Sequence, residues 1–127
     1  MRILIVDDHM GFRQAVRQIL ESSGILQGCG EASNGQEAIQ QALELRPDLI
    51  VLDILMPVMD GLEATKRIKA VLPDIPILML SSDREMAQAS QEAGGRGFVI
   101  KPEVDDLLLE AVNKLLRGQT FFKDSGE

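Results

Sequence analysis

Residues 49–61 read LIVLDILMPVMDG, and the first five of them, Leu49-Ile50-Val51-Leu52-Asp53, decide the fold. Four consecutive apolar residues without a polar interruption predict a strand buried on both faces, because a strand with one wet face alternates apolar and polar residues. Such a strand belongs to a parallel sheet that helices cover on both sides. Asp53 then stands at the carboxyl end of a buried strand.

Short apolar runs of the same kind recur along the chain and are separated by amphipathic stretches. The strand candidates are residues 3–6, 29–32, 49–53, 75–80 and 98–100. Apolar residues at helical spacing follow each of them, and the last such stripe consists of Leu108, Ala111, Val112 and Leu115. The sequence therefore predicts five strands and five helices in strict alternation.

The character of each strand predicts its place in the sheet. Strands 3–6 and 49–53 are the most apolar and should be central, whereas strand 29–32, interrupted by Gly30 and Glu31, should lie at an edge. A right-handed, doubly wound parallel sheet that meets these demands has the strand order 2-1-3-4-5, as in flavodoxin-like α/β folds.

Composition excludes several classes of function. The 127 residues include 13 lysines and arginines against 20 aspartates and glutamates, a net charge of −7, which disfavours direct binding of nucleic acid phosphates. No apolar run reaches the length of a membrane span, and Asp7-Asp8 interrupt the first run too early for a signal peptide. The single cysteine, Cys29, suits a reducing compartment. We expect a cytoplasmic protein without a membrane partner.

Polar residues stand at the carboxyl ends of four of the predicted strands. Asp7 and Asp8 follow the first, Asp53 ends the third, Ser81 follows the fourth and Lys101 follows the fifth. In a doubly wound sheet these ends meet at the edge where ligands bind. Because neighbouring strands lie about 4.8 Å apart, we expect all of these residues to share one site.

A site with three carboxylates needs a cation. At about 4 Å, each carboxylate pair costs on the order of 4 kcal/mol, and Lys101 supplies only one compensating charge. Oxygen ligands select a hard ion, and Mg²⁺ suits the site best because it shares its coordination sphere with phosphate. The set predicts in-line transfer of a phosphoryl group to a carboxylate, with Mg²⁺, Lys101 and the Ser81 hydroxyl meeting its oxygens.

Four motifs in this order resemble the receiver domain of response regulators from bacterial two-component systems. They are Val6-Asp7-Asp8-His9, residues 53–61, Ser81-Ser82 and Gly97-Phe98-Val99-Ile100-Lys101-Pro102, and the resemblance continues to about Leu116. It implies the receiver fold, signal transduction by phosphorylation, and no enzymatic activity beyond the chain's own phosphorylation and dephosphorylation.

The resemblance also implies roles by position. Asp53 would be the phosphoacceptor, forming an aspartyl phosphate with a phosphoryl group from a sensor histidine kinase. Mg²⁺ would be held by Asp8, Asp53 and the backbone carbonyl of Leu55, with Asp7 acting mainly through water.

Three further positions carry switch roles in the resembling family. Ser81 would be the hydroxyl that meets the phosphoryl group, Phe98 the switch aromatic that turns inward, and Lys101 the phosphate-binding lysine. The Lys101-Pro102 bond is usually cis in such domains, a form that X-Pro bonds adopt at modest cost.

Residues 1–118 are predicted to form the receiver domain, and 119–127 the start of a linker or tail, with the effector domain absent. Residues 93–98 and the end of the fifth helix resemble regulators with a NarL/LuxR-type helix-turn-helix, which implies transcription regulation, with DNA bound only through that missing domain. Phosphorylation would favour a homodimer or effector release through helix 4, strand 5 and helix 5, including Leu109 and Leu116.

Two alternatives remain open on the sequence. One is a stand-alone receiver that acts through protein contacts. The other is a Mg²⁺-dependent phosphatase of the haloacid-dehalogenase type, which also uses an aspartate at a strand end. That class carries a second acid two residues after its nucleophile, where this chain has Leu55.

Overall fold

The structure is a computed structural model and describes residues 1–122. Its five strands are β1 (Arg2–Val6), β2 (Gln27–Ala32), β3 (Leu49–Asp53), β4 (Ile77–Ser81) and β5 (Gly97–Ile100). The α-helices are α1 (Met10–Glu21), α2 (Gly35–Leu45), α3 (Gly61–Val71), α4 (Ala87–Glu92) and α5 (Val104–Leu116). Single 3-10 turns, Arg84–Met86 and Lys101–Glu103, lead into α4 and α5. The predicted alternation of strands and helices is confirmed.

The sheet is parallel throughout, with the order β2-β1-β3-β4-β5 that the sequence predicts. β1 lies between β2 and β3, and its pairing with β2 is irregular between Ile3 and Leu4. β2 begins two residues earlier than expected, and β4 begins two residues later, after Pro76.

Alternate residues of each strand feed two separate cores. On one face, β1, β3, β4 and β5 pack against α1 and α5, whose buried side chains include Val16, Leu20, Leu108 and Leu115. On the other face, the strands pack against α2 and α3 through Ala38, Ala42, Ala64 and Ile68. The strands are thus buried on both sides, as their uninterrupted apolar sequences indicate.

Edge strand β2 is held by an ion-pair network that also reaches the carboxyl end of β1. Arg13 Nε lies 2.7 Å from Glu31 Oε1, and Arg17 Nη2 lies 2.9 Å from Glu31 Oε2. The hydrogen bond from Arg13, followed by that from Arg17, keeps the pKa of Glu31 below its usual value. Arg13 also donates to the backbone carbonyl of Asp7 at 2.6 Å, which fixes α1 against the loop that carries the acidic pair.

The chain after α5 returns to the sheet. Gly118 turns it with a φ of 82°, and Phe121 then forms a parallel bridge with Gly97 of β5. The ring of Phe121 is buried in the core face that α1 and α5 cover. Part of the predicted linker is therefore packed against the receiver, while residues 123–127 lie outside the described part of the chain.

The side of α5 that carries Leu109 lies beside α1, and not beside α4 and β5, where the output surface was expected. Leu109 lines a shallow groove between α1 and α5, together with Ala15 and Ile19. Leu116 is half-buried against the same core face. Within residues 1–122, no helix is long and apolar enough to cross a membrane.

Candidate functional site

The predicted site residues meet at the carboxyl edge of the sheet. Asp53 is the last residue of β3, Ser81 is the last of β4, and Asp7 and Lys101 directly follow β1 and β5. Asp7, Asp53 and Ser81 are each at most 2% exposed. They are buried polar groups at a sheet edge, and such groups require partners.

Lys101 joins the acids across two strands. Its Nζ lies 2.8 Å from Asp7 Oδ2 and 3.3 Å from Asp53 Oδ2. The long lysine side chain therefore brings its ammonium to the carboxylates that follow both β1 and β3. The same Nζ lies 4.5 Å from the centroid of the Phe12 ring, a contact that the sequence interpretation did not include.

The charges of this cluster do not balance. The pKa of Asp53 is raised from 3.8 to about 6, mainly by burial and next by the neighbouring Asp7, while Lys101 offsets only part of the rise. Burial alone would lower the pKa of Lys101, but its contacts with Asp7 and Asp53 outweigh that effect and raise it. The negative charges of the carboxylates thus outnumber the one positive charge of Lys101. A further positive charge would stabilise the ionised site.

Asp8 supplies evidence that the residues present fit a metal ion. Its Oδ1 is shielded from solvent and accepts no hydrogen bond, although His9 Nδ1 lies 3.3 Å away. Ligand atoms of Asp7, Asp8 and His9 lie within 4.8 Å of one another. A buried carboxylate oxygen without a partner costs free energy that a hard cation would recover. The donor set at this corner therefore suits a divalent cation.

Asp7 differs from Asp8 because it is paired with a lysine. Its Oδ1 accepts a hydrogen bond from the backbone N–H of His9 at 2.8 Å. Its Oδ2, like Asp8 Oδ1, accepts no hydrogen bond of good geometry, but it lies 2.8 Å from Lys101 Nζ in an ion pair. The His9 side chain is 74% exposed, and its Nδ1 lies 3.5 Å from Asp7 Oδ1. In the sequence, Asp7 and Asp8 are distinguished only by their order after β1. In the structure, they differ in burial and in their contacts with Lys101.

Ser81 is placed to donate a hydrogen bond. Its hydroxyl oxygen accepts the backbone N–H of Asp83 at 3.0 Å, which leaves the hydroxyl hydrogen for an anion at the mouth of the site. Phe98, the predicted switch aromatic, is 4% exposed and lies in the core face that α2 and α3 cover. Its ring is therefore already packed inside in this structure, and its role as a switch on phosphorylation stays a prediction.

The loop after Asp53 is pinned at both ends. The N–H of Gly61 donates to the carbonyl of Ile54 at 2.7 Å, and a Cβ at Gly61 would overlap the backbone carbonyl of Asp53, so this close approach requires glycine. Within the loop, Met59 N–H donates to Pro57 at 2.7 Å around Val58, whose φ is 69°. Such a three-residue turn is strained for a β-branched residue.

The Lys101-Pro102 bond is trans, contrary to the expectation of a cis bond, since residues 1–122 contain no cis peptide bond. Pro102 stands in the first turn of the 3-10 segment Lys101–Glu103. There its fixed φ and missing N–H are tolerated in the trans form, which is the lower-energy isomer.

Fold and site together define a class. A 2-1-3-4-5 parallel sheet with buried carboxylates, a hydroxyl and a lysine at its carboxyl edge is the architecture of a receiver domain. Residues 3–113 match the family described as the response regulator receiver domain. The chain belongs to this family and is a receiver of two-component signal transduction.

Individual relatives agree with this assignment. The response regulator protein VraR of Staphylococcus aureus is 40% identical over 126 residues, which cover 97% of this chain and 60% of VraR. Among solved structures, a LuxR-family two-component response regulator from Aurantimonas sp. SI85-9A1 matches with a TM-score of 0.91 and 30% identity, covering 95% of this chain and 88% of that one. The response regulator domain of Thermotoga maritima CheB gives 0.87 and 31%, with 92% and 96% covered. The chain thus spans 60% of the length of the curated relatives it matches.

Proposed function

We propose that Asp53 accepts a phosphoryl group from the phosphohistidine of a sensor histidine kinase. The observation that carries this proposal is the buried Asp53 carboxylate, whose Oδ2 lies 3.3 Å from Lys101 Nζ at the end of a central strand. With a pKa of about 6, this carboxylate is largely ionised at neutral pH and can act as a nucleophile.

The transfer requires positioning and charge stabilisation more than covalent chemistry by other residues. An Asp53 oxygen bonds to phosphorus as the bond from phosphorus to the histidine nitrogen breaks, and that nitrogen keeps the electron pair. Lys101 and the Ser81 hydroxyl donate to the equatorial oxygens, on which charge accumulates. No side chain is required as a base, because the nucleophile is already an anion. The chain thus catalyses only its own phosphorylation and dephosphorylation.

Mg²⁺ would be held by Asp8, Asp53 and the backbone carbonyl of Leu55. Asp8 Oδ1 has no hydrogen-bond partner, which supports direct ligation by this residue. Asp7 already contacts Lys101 and the His9 N–H, which supports a role through a metal-bound water. When bound, the ion supplies the positive charge that neutralises the acids and the phosphoryl oxygens.

Phosphorylation would act as a switch. It adds a charge of about −1.5 to −2 and three acceptors next to the Ser81 hydroxyl, and this drives a change in the Ser81–Asp83 loop. The output is control of a DNA-binding regulator domain, by analogy with the NarL/LuxR-type regulators that the sequence resembles, together with self-association as a homodimer. This proposal places the protein in the cytoplasm as a transcription regulator, with residues 119–127 as the start of the linker.

The two alternatives predict different behaviour. A phosphatase of the haloacid-dehalogenase type would need an acid at position 55, where Leu55 is 63% exposed and offers no carboxylate. A stand-alone receiver would use the same phosphoacceptor chemistry but pass the signal through protein contacts alone.

Labelling tests the phosphoacceptor directly. We expect wild-type protein with Mg²⁺ and acetyl phosphate, or with the cognate kinase, to gain one phosphoryl group by intact mass spectrometry. Asp53→Asn should gain none, and EDTA should prevent labelling of the wild type. Asp74→Asn, which alters an exposed carboxylate of the loop before β4, is the matched control and should label normally. Undiminished labelling of Asp53→Asn would place the phosphoacceptor elsewhere.

A further inference from the structure

The Lys101 ammonium has three close neighbours, and one of them is not charged. Asp7 and Asp53 take two of its contacts, and the third is the face of the Phe12 ring, 4.5 Å from Nζ to the centroid. Phe12 lies in the first turn of α1 and is half-buried against the core face that α1 and α5 cover. Lys101 itself is 18% exposed, so the amine is partly desolvated where it meets the ring.

We propose that Phe12 is a positioning residue for Lys101, holding the ammonium over the acidic pocket by a cation–π contact. The inference rests on the proposed function, in which Lys101 donates to an oxygen of the transferring phosphoryl group. In this scheme Phe12 donates nothing to the phosphoryl group and acts only through the lysine.

The chemistry of the ring explains why an aromatic residue suits this position. An ammonium has three N–H donors, and the site needs them for Asp7, Asp53 and an incoming phosphoryl oxygen. A carboxylate or hydroxyl in place of Phe12 would take one of these donors. The negative face of an aromatic ring attracts the cation and leaves the strong acceptors to the pocket. It also limits the freedom of a long side chain that could otherwise swing into solvent.

Ordinary packing is the competing explanation, because Phe12 also contacts the core. The two explanations separate in a series of substitutions at this position. Phe12→Leu keeps an apolar side chain and removes the π face, whereas Phe12→Tyr and Phe12→Trp keep the π face and change the volume. The chain has no native Trp or Tyr, so Phe12→Trp also introduces a single fluorophore next to the site.

The first measurement is the initial rate of labelling by acetyl phosphate in saturating Mg²⁺, followed by intact mass spectrometry. We expect Phe12→Leu to be about 5- to 20-fold slower than wild type, the range that a partly desolvated cation–π contact implies. Phe12→Tyr and Phe12→Trp should stay within about twofold of wild type. Phe121→Leu is the matched control, because it removes a ring that lies 5.6 Å from Lys114 and beside the start of β5, the end opposite Lys101, and it should leave the rate unchanged.

A double-mutant cycle measures the coupling between Phe12 and Lys101 in the labelling rate, and it distinguishes a cation–π role from ordinary packing. On a Lys101→Met background there is no cation to hold, so Phe12→Leu should cause no further slowing. The inference is overturned if Phe12→Leu labels at the wild-type rate, if the Leu, Tyr and Trp variants slow alike, or if the effect of Phe12→Leu persists on the Lys101→Met background. If Lys101→Met itself labels normally, the proposed role of Lys101 fails and that of Phe12 fails with it. A slow Lys101→Met beside a normal Phe12→Leu overturns the role of Phe12 alone.

Discussion

The backbone N–H of Phe98 donates to the carbonyl of Phe121 across 2.8 Å, and the N–H of Phe121 donates to Arg96 at 3.0 Å. The predicted switch aromatic of β5 is therefore hydrogen-bonded to the segment that follows α5. Arg96 also donates to the carbonyl of Gly118 at 3.1 Å, so both ends of the returning segment are tied to the start of β5. This segment covers a sheet edge that would otherwise present unpaired N–H and carbonyl groups.

The first prediction is that this returning segment contributes to the stability of the receiver. Phe121 is 3% exposed, so Phe121→Ala should lower the free energy of unfolding by about 3 kcal/mol, the usual cost of deleting a buried aromatic ring. Phe122 is only half-buried, and Phe122→Ala should cost clearly less. Urea denaturation followed by circular dichroism measures both. Equal and small effects would mean that burial of the Phe121 ring adds little stability.

A second prediction concerns the unpartnered carboxylate. Asp8→Ala should stabilise the metal-free protein by about 1 kcal/mol, because it removes a partly buried carboxylate that repels Asp53 and whose Oδ1 lacks a hydrogen bond. Mg²⁺ should raise the melting temperature of the wild type and have little effect on the variant. Thermal melts with EDTA and with excess Mg²⁺ provide the comparison, and Asp74→Ala is the exposed control. If Asp8→Ala is less stable than wild type in EDTA, repulsion by Asp8 does not destabilise the metal-free protein.

The raised pKa of Asp53 gives a third prediction, on pH. Its value in the folded chain, about 6, lies above the ordinary 3.8, so the folded state binds the proton more tightly than the unfolded state does. The contribution of Asp53 to stability therefore falls as pH rises from about 4 to 6 and stays low above that range. Asp53→Asn should be more stable than wild type at pH 7 in EDTA, by about 1–3 kcal/mol, and this gap should close towards pH 4. A gap that is constant from pH 4 to 8 would show that the carboxyl is not perturbed.

Much of this arrangement follows from local sequence. The uninterrupted run of β3 predicts burial on both faces, and parallel strands bring Asp7, Asp53 and Ser81 to one edge. The sequence does not predict the Phe12–Lys101 contact, because it depends on how α1 packs against the end of β5. The bridge at Phe121 was also missed, since two aromatic residues after a glycine have no strand periodicity of their own.

The sequence also does not predict backbone strain at Val58, because the strain depends on the geometry of the folded turn. A fourth prediction is that Val58→Gly stabilises the fold by about 1 kcal/mol. Val58 has a φ of 69°, which is costly for a β-branched residue, and its side chain is 82% exposed, so little packing is lost. Val71→Gly, at an exposed position at the end of α3, should instead destabilise the protein. Urea denaturation of the two variants gives the signs, and a loss of stability for Val58→Gly would mean that the turn is not strained.

The last prediction follows the switch outward from Asp53. Beryllofluoride with Mg²⁺ mimics the phosphorylated carboxylate, and we expect it to draw the Ser81 hydroxyl towards the new acceptor. Ser81 pairs with Ile100 in the sheet, so a shift of the end of β4 is passed to β5, which carries Phe98. The amide resonances of Phe98 and Phe121 should then change together, because the N–H of Phe98 is bonded to the carbonyl of Phe121.

Leu109 provides the internal comparison, because it lies on the flank of α5 that faces α1. Its amide should shift less than those of Phe98 and Phe121 if the signal leaves through β5 and the returning segment. ¹H–¹⁵N spectra with and without beryllofluoride measure all three amides, and Asp53→Asn should show none of the changes. Changes confined to the residues around Asp53 would mean that the described domain does not transmit the switch. A shift of the Leu109 amide without a shift of the Phe121 amide would place the output surface between α1 and α5. It would also show that the hydrogen bond between Phe98 and Phe121 does not transmit the change.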